Sequence, residues 1–130
     1  MSESKPPTPG TIGWFDLTVP DAPAIRDFYG AVTGWRAEGV DMGEYEDFAM
    51  TAADGTAVAG VCHARGKNDG LPPQWLAYVV VEDVERSAAV AAERGGTVLR
   101  DPTDMGSHGR YCVVRDPAGA VLALFQPAGG

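Results

Sequence analysis

Cysteine, lysine and histidine are all scarce in this 130-residue sequence, with two of each. Cys62 and Cys112 stand far apart, without the close spacing of a zinc or redox motif, and each lies in an apolar, strand-like run. They read as buried reduced thiols rather than a disulfide or a catalytic pair. Lysine occurs only at Lys5 and Lys67, the arginines are scattered, and the formal net charge is −8. That balance argues against nucleic acid and against a basic membrane-surface role. No apolar stretch is long enough to span a bilayer, and the residues after Met1 lack the apolar core of a signal peptide, so the expected location is cytoplasmic. No Ser-His-Asp order, glycine-rich phosphate loop or pair of catalytic carboxylates stands out. Gly95-Gly96 follows a helical stretch rather than preceding one, so it reads as a C-cap and not as a phosphate cradle.

What is present is turn-rich and globular. Seventeen glycines and ten prolines suit many short strands, and an apolar fraction of 45% with 22% charged residues is ordinary for a globular protein. The length suggests one domain with a real core. The chain is organised around Gly13–Asp21, where Trp14, Asp16 and Thr18 alternate with Phe15, Leu17 and Val19. A period of two predicts a strand whose Phe15-Leu17-Val19 side packs on a core. Asp21 and Pro23 then open a helix to about Thr33, with Ile25, Phe28, Tyr29 and Val32 as its apolar stripe and Gly34 as its stop. Strands are expected at Trp35–Val40, Glu46–Thr51 and Thr56–His63, the last two joined by the Asp54-Gly55 hairpin.

The same order then repeats. Trp75–Val81 is a strand, Asp83–Arg94 a helix with Val84, Ala88, Ala91 and Ala92 on one side, and Thr97–Arg100 a strand. Asp101–Gly109 reads as a loop, and strands follow at Arg110–Arg115 and Ala120–Gln126. The expected organisation is a loose arm at 1–10 and a single domain over 11–128, made of a module at 11–64, a linker at 65–73 and a module at 74–128.

Val19-Pro20-Asp21, Phe28-Tyr29-Gly30 and Gly34-Trp35 in the first half resemble the opening of a vicinal oxygen chelate module, as do Gly95-Gly96-Thr97-Val98 and Asp116-Pro117-Ala118-Gly119 the close of a second. This superfamily holds glyoxalase, bleomycin-resistance and extradiol dioxygenase proteins, and the resemblance covers roughly Gly13 to Pro127. It implies an α+β fold: two βαβββ modules forming a curved, partly closed eight-stranded sheet around a cleft, with helices outside. It also implies a bacterial homodimer. Family enzymes carry His and Glu metal ligands on four strands. The matching positions here are Trp14, Leu76, Ala123 and either Ala59 or Gly60, none of which can ligate a divalent metal. No metal and no other cofactor is therefore expected.

If strand parity holds, Trp14, Asp16, Leu76, Tyr78, Val121, Ala123 and Phe125 line the cleft, with His63 joining them in one of its two possible registers. The alternative is that these side chains fill the cleft as core. Asp16 is the sharpest residue. A carboxylate in mid-strand must reach water or a donor, so it is either a structural acceptor, a ligand anchor or a base. His108, in the Gly106–Gly109 loop near Asp104, is a second histidine without fixed geometry. The sequence thus points to a metal-independent protein that binds a small apolar or aromatic molecule by sequestration, with catalytic residues unknown. The alternative is a lyase, isomerase or hydroxylase-like enzyme of the same superfamily, run by Asp16 or a histidine. A dimerising scaffold with a filled cleft is the third reading.

Overall fold

Asp21 and Gly34 bracket the first helix in the computed structural model, which describes residues 7–66 and 69–128. The Asp21 carboxylate accepts from the Ala24 amide, and Gly34 adopts the left-handed conformation (φ 82°) that lets its amide close back on Gly30. The chain then alternates as the repeat requires: β1 (Ile12–Val19), α1 (Ala22–Thr33), β2 (Arg36–Asp41), β3 (Glu46–Thr51), β4 (Ala57–His63), β5 (Leu76–Val80), α2 (Val84–Glu93), β6 (Thr97–Asp104), β7 (Gly109–Arg115) and β8 (Val121–Pro127). This is the α+β, twice-βαβββ order expected. Packing divides the chain into two units, Trp14–Trp75 and Leu76–Gly130, the second also taking the residues through Gly13. Residues 1–6 of the expected arm, and Lys67 and Asn68 of the expected linker, lie outside the described residues. Gly10 donates to the Val80 carbonyl at 2.7 Å.

In the first unit the sheet order is β2-β3-β4-β1, with β1 parallel to β4 and the other pairs antiparallel. Leu17, Val19, Phe48, Met50 and Val61 form its buried core with Ala22, and Ile25, Tyr29, Trp35 and Trp75 pack against it. Tyr29 ties the aromatic edge together: Trp75 Nε1 donates to its hydroxyl at 3.1 Å, and the two rings meet edge to face at 5.2 Å. The apolar pattern is not followed in full. Phe15 is 42% exposed, Phe28 55% and Val32 63%. On α1 the row through Ala22, Ile25 and Tyr29 meets the core, and Phe28 and Val32 fall on the neighbouring outer row.

The second unit repeats this arrangement in the order β5-β8-β7-β6, with β5 parallel to β8. Val84, Ala88, Cys112 and Val114 form the core under α2, joined by Val81, Ala91, Val98 and Leu124. Ala92 points to solvent. One expectation is overturned: β6 runs to Asp104 instead of ending at Arg100, so the first four residues of the expected Asp101–Gly109 loop are strand. Pro102 and the aspartates at 101 and 104 are poor strand formers, but two register shifts accommodate them, and Thr103 and Asp104 pair with Tyr111 and Arg110. The Arg110 guanidinium holds the segment by pairing with Asp104 at 3.0 Å and Glu85 at 2.7 Å. Residues Gly106–His108 form a short 3-10 turn.

Candidate functional site

Parallel pairing of β1 with β4 decides which side chains share a face in the first unit. Asp16 stands beside Gly60 and Thr18 beside Cys62, while Leu17 pairs with Val61 on the core side. Trp14 and Asp16 are two residues apart on one strand and so emerge together. Trp14 Nε1 donates to Asp16 Oδ1 at 2.6 Å, a short charge-assisted hydrogen bond. Both side chains are half-buried. Gly60 makes this possible. A Cβ there would collide with Asp16 Oδ1 and sit 3.4 Å from Trp14 Nε1. A bare glycine is what lets the carboxylate and the indole nitrogen come this close to β4.

The same face carries more negative charge further along. Cys62 lies among the fields of Asp16 and Asp47, and burial first, then these two carboxylates, push its thiol far above its ordinary range. Both effects disfavour the thiolate, the form a cysteine nucleophile needs. Asp47 is buried, and one of its oxygens accepts from the His63 backbone amide at 2.9 Å and meets His63 Nδ1 at 3.2 Å. The imidazole stands edge-on to Tyr45 at 5.2 Å and tilted over Phe48 at 6.3 Å. Arg26 covers the Phe48 ring with its guanidinium at 4.6 Å. His63 pairs with Val19, so by strand parity it belongs with the core side and not with Trp14 and Asp16. The register that would have put His63 beside them is not the one adopted.

In the second unit, pairing places Tyr78 beside Ala123 and Phe125 beside both Val80 and Tyr111. Leu76, Tyr78, Ala123, Phe125 and Val121 therefore share one face, opposite the side packed on α2. Leu76, Tyr78 and Ala123 are buried, at 2%, 7% and 0% exposure, and Val121 and Phe125 are partly so. Tyr111, at 6.2 Å from the Tyr78 ring, is an aromatic on this face that the sequence pattern did not single out. Two surface depressions of this unit lie elsewhere. One of about 390 Å³ runs along α2 between Arg86, Val90 and Arg94, and one of about 530 Å³ lies between Pro9, Val80 and Asp83. His108 is exposed in its turn.

Alternation along β1 does not reveal Asp47, Cys62 and Gly60 as neighbours of Asp16. The only sequence signal was the open choice between Ala59 and Gly60, which the pairing of Gly60 with Asp16 now decides. The four positions where the resemblance places metal ligands are thus Trp14, Gly60, Leu76 and Ala123, and none offers an imidazole, carboxylate or thiolate. The donor set does not fit a divalent metal. Among the described residues no group of three or more His, Cys, Asp or Glu is placed to hold one. Among them, too, no helix is long and apolar enough to cross a membrane.

Two βαβββ units with this strand order define a glyoxalase-like α+β protein. Residues 11–124 match the model of the Glyoxalase/Bleomycin resistance protein/Dioxygenase superfamily, and the chain belongs to that family. It is 33% identical over 119 residues to CFP32 of Mycobacterium tuberculosis, a protein provisionally named a glyoxylase, covering 90% of this chain and 46% of that one. It is 31% identical over 130 residues to the anthracycline biosynthesis protein DnrV of Streptomyces peucetius, covering 91% of this chain and 47% of that one. The chain thus spans about half the length of these relatives. Among solved structures it is similar in fold to a Streptomyces coelicolor methylmalonyl-CoA epimerase in complex with 2-nitronate-propionyl-CoA, with a TM-score of 0.57 at 18% identity over 94% of this chain and 100% of that one. The Mycobacterium tuberculosis methylmalonyl-CoA epimerase also matches, with a TM-score of 0.57 at 14% identity over 92% of this chain and 88% of that one.

Proposed function

We propose that this chain is a metal-independent member of its family that binds a small apolar or aromatic organic molecule, acting by sequestration in the bacterial cytoplasm as a homodimer. The observation that carries the reading is the Trp14–Asp16 pair laid over Gly60. It offers a flat aromatic surface with one fixed carboxylate, the usual composition of a small-molecule site. The four ligand positions without metal donors support a site that works by contact alone. Similarity to a protein named for anthracycline biosynthesis favours a planar aromatic ligand. Free Cys62 and Cys112 suit a reducing compartment.

Titration of a panel of planar aromatic natural products, an anthracycline among them, tests the reading. Stoichiometric binding that quenches tryptophan fluorescence is expected. Asp16→Asn should weaken it about tenfold or more, the worth of a charged hydrogen bond. Binding that ignores both Trp14→Ala and Asp16→Asn would refute it.

A second reading rests on the Asp47–His63 contact. A carboxylate on Nδ1 fixes an imidazole as an acid or base, as a lyase, isomerase or hydroxylase-like enzyme run by Asp16 or His63 would need. Turnover of a bound compound that is lost in Asp16→Asn or His63→Gln would favour it.

A further inference from the structure

We infer that β2 is a self-pairing edge, which joins two copies of this chain antiparallel through reciprocal Arg36–Glu38 contacts. The inference rests on the homodimer reading above and assigns its interface.

β2 lies at an edge of its unit's sheet, and all six of its residues, Arg36–Asp41, are exposed. Its pairing with β3 is unbroken from Arg36 opposite Thr51 to Asp41 opposite Glu46, with no bulge. No proline interrupts it. A straight, regular edge of this kind presents a free row of amides and carbonyls to another strand. The edge strand β6 of the other unit differs. It carries Pro102 in its interior and two register shifts, the usual devices against such pairing. β6 thus carries backbone guards that β2 lacks.

Symmetry and charge then select a register. A two-fold axis that pairs two copies of one strand antiparallel stands perpendicular to the sheet, so the central residue meets its own copy. Centring on Glu38 would set carboxylate against carboxylate. Centring on Gly39 would set Glu38 against Val40 and leave both charges without a counterpart. Centring on Ala37 places Arg36 opposite the partner's Glu38 and Glu38 opposite the partner's Arg36, with Trp35 facing Gly39. Opposite charges directly across a ladder stabilise it, and like charges destabilise it. Among the described residues neither Arg36 nor Glu38 makes an ion pair within the chain. Val40 and Met42, at 43% and 46% exposure, add apolar area beside the strand. For a chain of net charge −8, such a local match is needed to offset general repulsion.

Sedimentation velocity on the full chain tests this with charge exchange. The wild type should self-associate. R36E and E38R should each self-associate about tenfold more weakly. An equimolar mixture of the two should recover wild-type affinity, because every pair across the ladder is again opposite in charge. The double variant R36E/E38R should pair with itself as the wild type does, which controls for loss of folding. Two outcomes would overturn the inference while leaving a homodimer in place: single variants that dimerise like the wild type, or a mixture that fails to recover. A wild type that stays monomeric at millimolar concentration would overturn both it and the homodimer reading.

Discussion

The carboxylate of Asp16 lies over the bare backbone of Gly60, in the space that any side chain at that position would need. The contact is specific to this pair, since the parallel register brings Asp16 directly beside Gly60. Alanine in a strand is ordinarily preferred to glycine by about 0.5–1 kcal/mol, because glycine loses more backbone freedom on folding. Here the collision reverses the sign. Gly60→Ala must displace the carboxylate and strain its bond from Trp14, so we expect a loss of about 1–3 kcal/mol, as for other overpacked sites. Urea denaturation of the two proteins checks it, and an unchanged or raised midpoint would show that Asp16 is free to move.

Asp16 also acts through its charge. Asp16→Asn keeps an oxygen for the Trp14 indole but removes a negative field from the Cys62 thiol. We expect a stability loss of about 1–3 kcal/mol from the weakened hydrogen bonding. The thiol should respond in the opposite sense. Asp16 is one of the groups that push Cys62 up, so its removal lowers the thiol toward the ordinary range, while burial keeps it above. At a fixed alkaline pH, alkylation of Cys62 followed by peptide mass spectrometry should run faster in the variant. Cys112 in the same sample serves as the internal standard. It is buried, lies near Asp101, and has its thiol pushed up to about 11.

Asp47 presents a simpler case. It is buried on β3 and takes both the amide and the ring of His63 on one oxygen. Asp47→Ala strands a backbone amide at the end of β4 and frees the imidazole, at a cost of about 1–3 kcal/mol. Asp47→Asn retains an acceptor and should cost clearly less. Thermal or urea melts that rank the two variants the other way round would mean that the carboxylate is not the structural acceptor the geometry describes.

Local signals carried most of the fold. Asp21, Gly34 and the Asp54-Gly55 hairpin bound their elements where capping and turn chemistry put them, and the second half of the chain repeats the first. What failed needed long-range information. Asp101–Asp104 reads as loop from sequence, whereas pairing of Thr103 with Tyr111 and Asp104 with Arg110 keeps it in the sheet. Phe28 and Val32 match the helical stripe, yet only the row through Ile25 and Tyr29 meets the core. The candidate site divides the same way. Alternation along β1 put Trp14 and Asp16 together, but the side taken by His63 and the partnership with Gly60 depend on a parallel register between strands some forty residues apart, which spacing alone cannot set.

The four-strand ligand pattern of the family gives the last prediction, that the purified protein binds no stoichiometric transition metal. Gly60 is held by pairing with Asp16 and Trp14 by its hydrogen bond to Asp16, and Leu76 and Ala123 are buried in their unit. Moving the register by one residue would offer Phe15, Trp75 or Ala77, and Leu122 or Leu124, which are no better as ligands. The nearest donors on the Trp14 face are Asp16, already bonded to the indole, and Asp47, already engaged with His63. Cys62 would have to lose a proton that burial and two carboxylates hold in place. Zinc and its neighbours need three or four such donors at about 2.0–2.3 Å, with thiols deprotonated. Elemental analysis after dialysis should therefore find well under one equivalent of zinc, nickel, iron or manganese, and chelators should leave Tm unchanged. About one equivalent per chain, together with a Tm that falls on chelation, would mean that a different set of residues faces the metal and that Trp14 and Gly60 do not occupy the ligand positions.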